Sequence, residues 1–285
     1  MVLQPADAPT REFNFSEADF QKLTQLAYEH AGIALSESKE NLIYSRLSRR
    51  LRALRLTTFR DYCDYLTTHA AEIESFINSI STNHTKFFRE VHHFEHFRSH
   101  VAVPFAHAAA RKSGGRLRVW SAGCSTGEEP YTIAIVLKRE IRNFADNDVR
   151  ILATDIDTDV LTKAANGEFA PNSVDEVPKD YQSFFTRKAG TASAEKVRVD
   201  ENLQSLIAFR RLNLMESWPF QGLFDAIFCR NVMIYFDAAT KATLVERFTQ
   251  RIKPGGWLYI GHSESLIGAH SGLELVGRTT YRRMK

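Results

Sequence analysis

The sequence predicts an α/β fold, a doubly wound and largely parallel sheet, preceded by a small all-α domain. Three observations predict it. From about residue 115 short apolar runs alternate with amphipathic helical stretches, the rhythm of βαβ units. Before that point every periodic stretch repeats at helical spacing. One polar stretch, about 171–203, interrupts the alternation and reads as an antiparallel β-subdomain inserted at the sheet's edge.

The elements follow in order. Residues 1–12 read as a disordered lead-in, with Pro5 and Pro9 breaking any helix and no basic-then-apolar signal pattern. Ser16-Glu17-Ala18-Asp19 is a capping-box pattern, and Phe20, Leu23, Leu26 and Ala27 follow on one face, with Gly32 as a stop. A second helix is expected over about Ser38–Arg55, with Leu42, Ile43, Leu47, Leu51 and Leu54 apolar and Arg46, Arg49, Arg50, Arg52 and Arg55 on the other face. Thr57 or Thr58 can cap a third helix, and Ala71–Ile80 is a fourth. Strands are expected at Leu117–Trp120, Val149–Thr154, Phe224–Cys229 and Trp257–Ile260, with helices at Glu128 to about Arg142, Ile156–Asn166 and Asp237–Ile252. Lys253-Pro254-Gly255-Gly256 reads as a turn, and about Leu273–Arg283 as a closing hairpin.

Composition bounds the function. The chain has 285 residues, about two domains' worth, with 44% hydrophobic residues, enough for a sizeable core. No apolar run approaches the roughly 20 residues a membrane span needs. Cys63, Cys124 and Cys229 form no CxxC pair, which argues against a disulfide scaffold or zinc ribbon and fits a reducing cytoplasm. The net charge of +3 does not call for a nucleic-acid partner.

In an open α/β sheet the ligand sits at the carboxyl ends of the strands. Three such ends hold unusual residues. The first strand runs into Ser121-Ala122-Gly123-Cys124-Ser125-Thr126-Gly127, small residues that admit a ligand close to the backbone. This is neither a P-loop nor GxGxxG. Glu128 and Glu129 follow, and two carboxylates suit a cationic ligand such as a sulfonium better than a pyrophosphate. The second strand ends at Asp155, a carboxylate able to accept both hydroxyls of a ribose. A later strand ends at Arg230-Asn231-Val232-Met233-Ile234-Tyr235. Alone, each reads equally as structure: a glycine turn, a capping Asp, a core tyrosine.

Taken together, Trp120–Tyr131 (WSAGCSTGEEPY), Ala153–Asp157 (ATDID), Phe228–Phe236 (FCRNVMIYF), Gly261–Glu264 (GHSE) and Thr82–Glu90 (TNHTKFFRE) resemble the motifs of CheR-type chemotaxis receptor methyltransferases, in the family's order from about Phe13 onward. The resemblance implies a helical domain over 13–81, a linker over 82–98 and a Rossmann-like S-adenosylmethionine methyltransferase domain over 99–285. It implies a cofactor shell of Asn83, Thr85, Arg89, Glu129, Asp155, Asn213, Leu214, Asn231 and Val232, with Arg89 and Tyr235 orienting the substrate carboxylate. The substrate implied is a glutamate of a methyl-accepting chemotaxis receptor, and the product S-adenosylhomocysteine. A glutamate, with a reference pKa of about 4.3, arrives ionised and needs no general base.

The arginine-rich helix has three readings: a solvated face, a nucleic-acid site, or a dock for acidic receptor helices. The last fits the resemblance. In some family members the β-subdomain binds a C-terminal receptor peptide by strand addition. The loop Arg187–Lys196 has a single glycine, Gly190, where those members are glycine-rich. His92, His93 and His96 lack the order of a metal motif and are expected to bind none. A monomer is the default expectation. A nucleic-acid methyltransferase and a non-catalytic cofactor-binding signalling module stand as alternatives.

Overall fold

A computed structural model describes residues 11–142, 144–188, 196–266 and 272–284. The chain divides into two compact units, Met1–Ser81 and Thr82–Lys285.

The first unit has four helices: α1 (Glu17–Ala31), α2 (Glu40–Leu54, entered through a 3₁₀ turn at Glu37–Lys39), α3 (Phe59–Thr68) and α4 (Ala70–Ile80). Ser16 closes a full capping box with Asp19, and Gly32, at φ 69°, ends α1 in the left-handed region. Thr58 caps α3 through the amide of Asp61. Leu23, Ala27, Leu47, Leu51, Phe59, Tyr62 and Phe76 are all but inaccessible to solvent. Each large side chain so buried contributes about 1.5–3 kcal/mol.

The second unit begins with α5 (Val91–Phe97), a π-helical turn (Arg98–Ala102) and α6 (Val103–Arg111). There follow β1 (Arg116–Ala122), α7 (Glu128–Glu140), β2 (Asp148–Asp155), α8 (Thr158–Asn166), β3 (Glu168–Phe169), β4 (Phe185–Lys188), β5 (Lys196–Val199) and α9 (Glu201–Gln204). β6 (Ile207–Arg211), β7 (Phe224–Cys229), α10 (Ala238–Arg251), β8 (Ile252–Ile260), β9 (Leu273–Gly277) and β10 (Thr280–Arg283) complete it. The main sheet runs β6-β2-β1-β7-β8-β10-β9. Its first five strands are parallel, and β10 is antiparallel to both neighbours. The chain leaves β1 first toward β2 and later returns to β7 on β1's other side. The topological switch therefore lies between β1 and β7, where a ligand crevice is expected.

The insert is a three-stranded antiparallel sheet in the order β3-β5-β4. It starts at Glu168, three residues before the expected boundary, because Glu168 and Phe169 pair with Arg198 and Val197. Val197 and Val199 are buried. The linker's Phe87 sits edge-on between Phe169 and Phe185, with ring centres at 4.9 and 5.0 Å.

Other expectations are corrected. Ile156 and Asp157 precede α8 rather than belong to it, Asp157 being its cap. Lys253–Gly256 is not a turn outside the sheet but part of β8, at a register shift against β7. β6 has no counterpart among the strands expected from sequence. The glycine-poor loop 189–195 and most of the 1–12 lead-in lie outside the described residues.

Candidate active site

Three segments meet at the switch point. The first is the loop after β1. Gly123 has φ 84°, and a Cβ there would stand 2.3 Å from Val232 Cγ2, so only glycine fits. The amides of Gly123 and Cys124 both donate to the Thr154 carbonyl, at 2.7 and 2.9 Å. Ser125, in the left-handed region at φ 50°, donates its amide to Asp155 Oδ2 at 2.8 Å and its hydroxyl to the Asn83 carbonyl at 3.0 Å.

The second is the end of β2. Asp155 Oδ1 accepts the amide of Asp157 at 3.0 Å. Each Asp155 oxygen thus takes one amide and keeps accepting capacity for another donor. Burial pushes this carboxyl up to about 6, although the amides of Asp157 and Ser125 pull it down. Asp157 Oδ1 caps α8, and its Oδ2 accepts from Asn83 Nδ2 at 2.7 Å. Asn213 and Leu214 follow β6, whose exit is held by the Leu212 amide on the Asp155 carbonyl at 2.9 Å. Asn213 is buried and bonds Glu216 and the Met215 amide. The Leu214 carbonyl accepts from Trp218 Nε1 and Arg247 Nη1.

The third is the segment after β7. Asn231, at φ 59°, and Ile234 donate their amides to the buried carboxylate of Glu264, at 3.0 and 3.1 Å, and Gly261 donates to it as well. Tyr235 is half-buried, its hydroxyl 3.4 Å from the Thr82 carbonyl. Cys124 and Cys229 are fully buried with thiols pushed up by burial, which argues against a nucleophilic role.

The linker joins all three. Arg89 donates Nη1 to the His84 carbonyl at 2.8 Å and lies between two left-handed residues, Phe88 and Glu90. Thr85, four residues before Arg89, is half-buried. Arg230, to which the sequence pattern assigns no role, is buried; it meets Glu129 Oε2 at 3.0 Å, Glu90 Oε2 at 3.4 Å and the Arg89 carbonyl. Glu129 also accepts from Ser121 Oγ at 2.7 Å. Burial raises the Glu129 carboxyl, with Arg230 and Ser121 opposing. Glu129 is therefore partly neutralised from within, which the pair Glu128-Glu129 does not reveal in sequence. Glu128 is buried too and bonds Thr126 Oγ1. Among the described residues six non-glycine residues have positive φ, and four of them are Phe88, Glu90, Ser125 and Asn231. Such conformations cost about 1–3 kcal/mol each, and four of them on these segments make this the candidate site.

Residues 83–282 match the model of the CheR methyltransferase SAM-binding domain, and residues 18–81 that of the CheR methyltransferase all-alpha domain. The chain belongs to the CheR methyltransferase family. It is 43% identical over 260 residues to a probable chemotaxis protein methyltransferase of Rhizobium etli, covering 90% of this chain and 96% of that one. Identity is 43% over 275 residues with chemotaxis protein methyltransferase 2 of Pseudomonas aeruginosa, covering 95% of both. It is 41% over 280 residues with the chemotaxis protein methyltransferase of Escherichia coli, covering 97% and 94%. As a CheR methyltransferase the protein uses S-adenosylmethionine and releases S-adenosylhomocysteine. The residues fit that cofactor: Asp155 has accepting capacity on both oxygens, and buried carboxylates suit a cation.

The five arginines expected to dock substrate lie in the helical unit, and they differ. Arg50 is bidentate on buried Glu72, at 2.8 and 2.6 Å, and Arg46 donates to the carbonyls of Ile80 and Ser81 at the end of α4. Arg52 pairs with Glu12 at 2.6 Å on the surface. Arg49 and Arg55 are exposed, Arg55 ending α2 at φ 59°. No helix among the described residues is long and apolar enough to cross a membrane.

Proposed function

We propose that this methyltransferase esterifies glutamate side chains on methyl-accepting chemotaxis receptors. The observation that carries the reading is similarity to chemotaxis protein methyltransferases over nearly the whole length of both chains. The cofactor supplies a methyl carbon activated by a positive sulfur. The chain's own residues supply position. A glutamate nucleophile is already ionised at neutral pH, so no side chain has to remove a proton. Alignment alone can contribute on the order of 7–11 kcal/mol.

In this reading Asp155 accepts the ribose hydroxyls, and Asn83, Thr85, Arg89, Glu129, Asn213, Leu214, Asn231 and Val232 complete the cofactor shell. Arg89 and Tyr235 aim the carboxylate with a guanidinium and a hydroxyl. Their grip must be moderate, because a tight ion pair in the ground state would raise the barrier. Arg49 and Arg55, with Arg52 paired to Glu12 beside them, lie on the exposed face that acidic receptor helices would meet in the cytoplasm. β4, an edge strand of the small sheet, is where a receptor tail could add. The test is incubation of the protein with methyl-labelled S-adenosylmethionine and receptor-containing membranes. Alkali-labile label on receptor is expected. Label that resists alkali, or that passes to nucleic acid, would refute the ester chemistry.

A further inference from the structure

Where the linker enters α5, three neighbouring side chains each hold a buried atom with no hydrogen-bond partner. Glu90 Oε2, His92 Nε2 and His93 Nδ1 are shielded from solvent and make no hydrogen bond. One ligand-type atom from each of these residues lies within 4.8 Å of the others. His93 is completely buried. Its Nε2 faces the Arg278 carbonyl at 3.1 Å and the Thr279 hydroxyl at 3.0 Å. The Arg278 carbonyl only accepts, which favours the neutral tautomer with the proton on Nε2 and a lone pair on Nδ1. That lone pair faces Glu90 Oε2 at 3.3 Å. In that tautomer two lone pairs face one another, an arrangement that a cation bound to both would relieve.

Two imidazoles and a carboxylate are ligands for a first-row divalent ion, and suit Zn²⁺ well. We propose that Glu90, His92 and His93 form a Zn²⁺ site, with a water in the remaining position. Glu90 Oε1 is held by the amide and Nδ1 of His262, at 3.2 and 2.8 Å, which fixes the carboxylate for the ion. Arg230 lies 3.4 Å from Glu90 Oε2 and opposes a further cation, but Glu129 pairs with it at 3.0 Å. With both carboxylates ionised, Arg230 and its two partners carry one net negative charge before any ion binds. The helical pair visible in sequence, His92 and His96, is not the site. His96 turns its Nδ1 to the Tyr259 hydroxyl at 3.0 Å and stacks on His100.

The test is a Zn²⁺ titration of the full chain, stripped by chelator, against a chromophoric competitor, repeated with Co²⁺ followed by visible absorption. One equivalent is expected, with the Co²⁺ band of a four-coordinate nitrogen–oxygen site. His92→Ala should weaken binding by at least about tenfold, and His96→Ala should not weaken it. Circular dichroism checks folding, and Glu90→Gln replaces His92→Ala should that variant unfold. Uptake below one equivalent by the wild type overturns the site. So does wild-type affinity in the ligand variant, or equal loss in His96→Ala.

Discussion

Glu264→Gln isolates what holds the segment after β7 in place. The carboxylate accepts amides from Asn231, Ile234 and Gly261, so a single buried side chain ties Asn231–Tyr235 to the end of β8. Glutamine keeps the shape but replaces one oxygen with a donor. The less costly orientation sacrifices the Ile234 bond, and an unsatisfied buried amide costs about 1–3 kcal/mol. The two remaining bonds lose their charge assistance, about another 0.5–1 kcal/mol each. Against this, burial raises the Glu264 carboxyl, so the folded protein bears a cost for ionising it that glutamine relieves. A net weakening of about 2 kcal/mol follows, read against about 1.4 kcal/mol per tenfold in a binding constant. Cofactor affinity by isothermal titration should fall roughly 10–30-fold, since Asn231 and Val232 are proposed cofactor residues, and turnover should fall with Tyr235 displaced. Glu264→Ala should do worse. Wild-type affinity and turnover in Glu264→Gln, in a protein shown to be folded, would refute the clamp.

Other perturbations separate the parts. Hydroxyl donors favour an ionised Asp155, so binding lowers a carboxyl that stands at about 6 in the free protein; affinity should rise up to about tenfold per pH unit from 5 to 6 and level off by 7, and a flat titration series, or an unchanged profile in Asp155→Asn, counts against it. Gly123→Ala places a Cβ 2.3 Å from Val232 at φ 84°; left-handed strain of about 1–2 and overpacking of about 1–3 kcal/mol should lower the melting temperature by roughly 4–20 °C. Arg89→Ala should cut turnover on receptor strongly, and retained turnover measured under cofactor saturation would end its proposed orienting role. Arg50→Glu sets a like charge against buried Glu72 and should cost about 3–5 kcal/mol of stability, whereas Arg49→Glu should leave the melting temperature unchanged and weaken receptor methylation; equal melting losses in both would contradict this division.

What the sequence discloses depends on how local the cause is. Ser16, Gly32 and Thr58 act within a few residues, so three helix boundaries can be read directly. Gly123 and Asp155 end strands and can be placed by topology alone. β6 escapes notice because, in Ile207–Arg211, only Ile207 is buried; an edge strand with two terminal arginines shows no period. Pro254-Gly255-Gly256 reads as a turn, yet β7 draws it into the sheet. A Cβ at Gly256 would meet the Asp225 carbonyl at 2.8 Å, and Lys253 pairs with Asp225 at 2.7 Å. The face of α2 shows five arginines in sequence but not their partners, because Glu72 is 22 residues from Arg50 and Glu12 is 40 from Arg52. Arg230 did leave a signal. A lone arginine directly after the buried run Phe224–Cys229 has to find an acid elsewhere in the chain.

That acid turns out to be two acids on two segments, and this explains the linker's part in the site. The side chain of Arg89 is the proposed guide for substrate, but its position is set through its backbone. Arg230 takes the Arg89 carbonyl and Glu90 with one nitrogen and Glu129 with the other, while its guanidinium carbon lies 5.2 Å over the Phe94 ring. On the other side Phe87 is wedged into the small sheet and Phe88 stacks on Tyr181 at 5.0 Å. Between those anchors Phe88 and Glu90 are held in the left-handed region, a strain that isolated chain would release. A reaction whose nucleophile comes already charged places its whole demand on alignment. On the proposed reading, the alignment of the half-buried Arg89 guanidinium rests on another that is fully buried, 141 residues further along the chain.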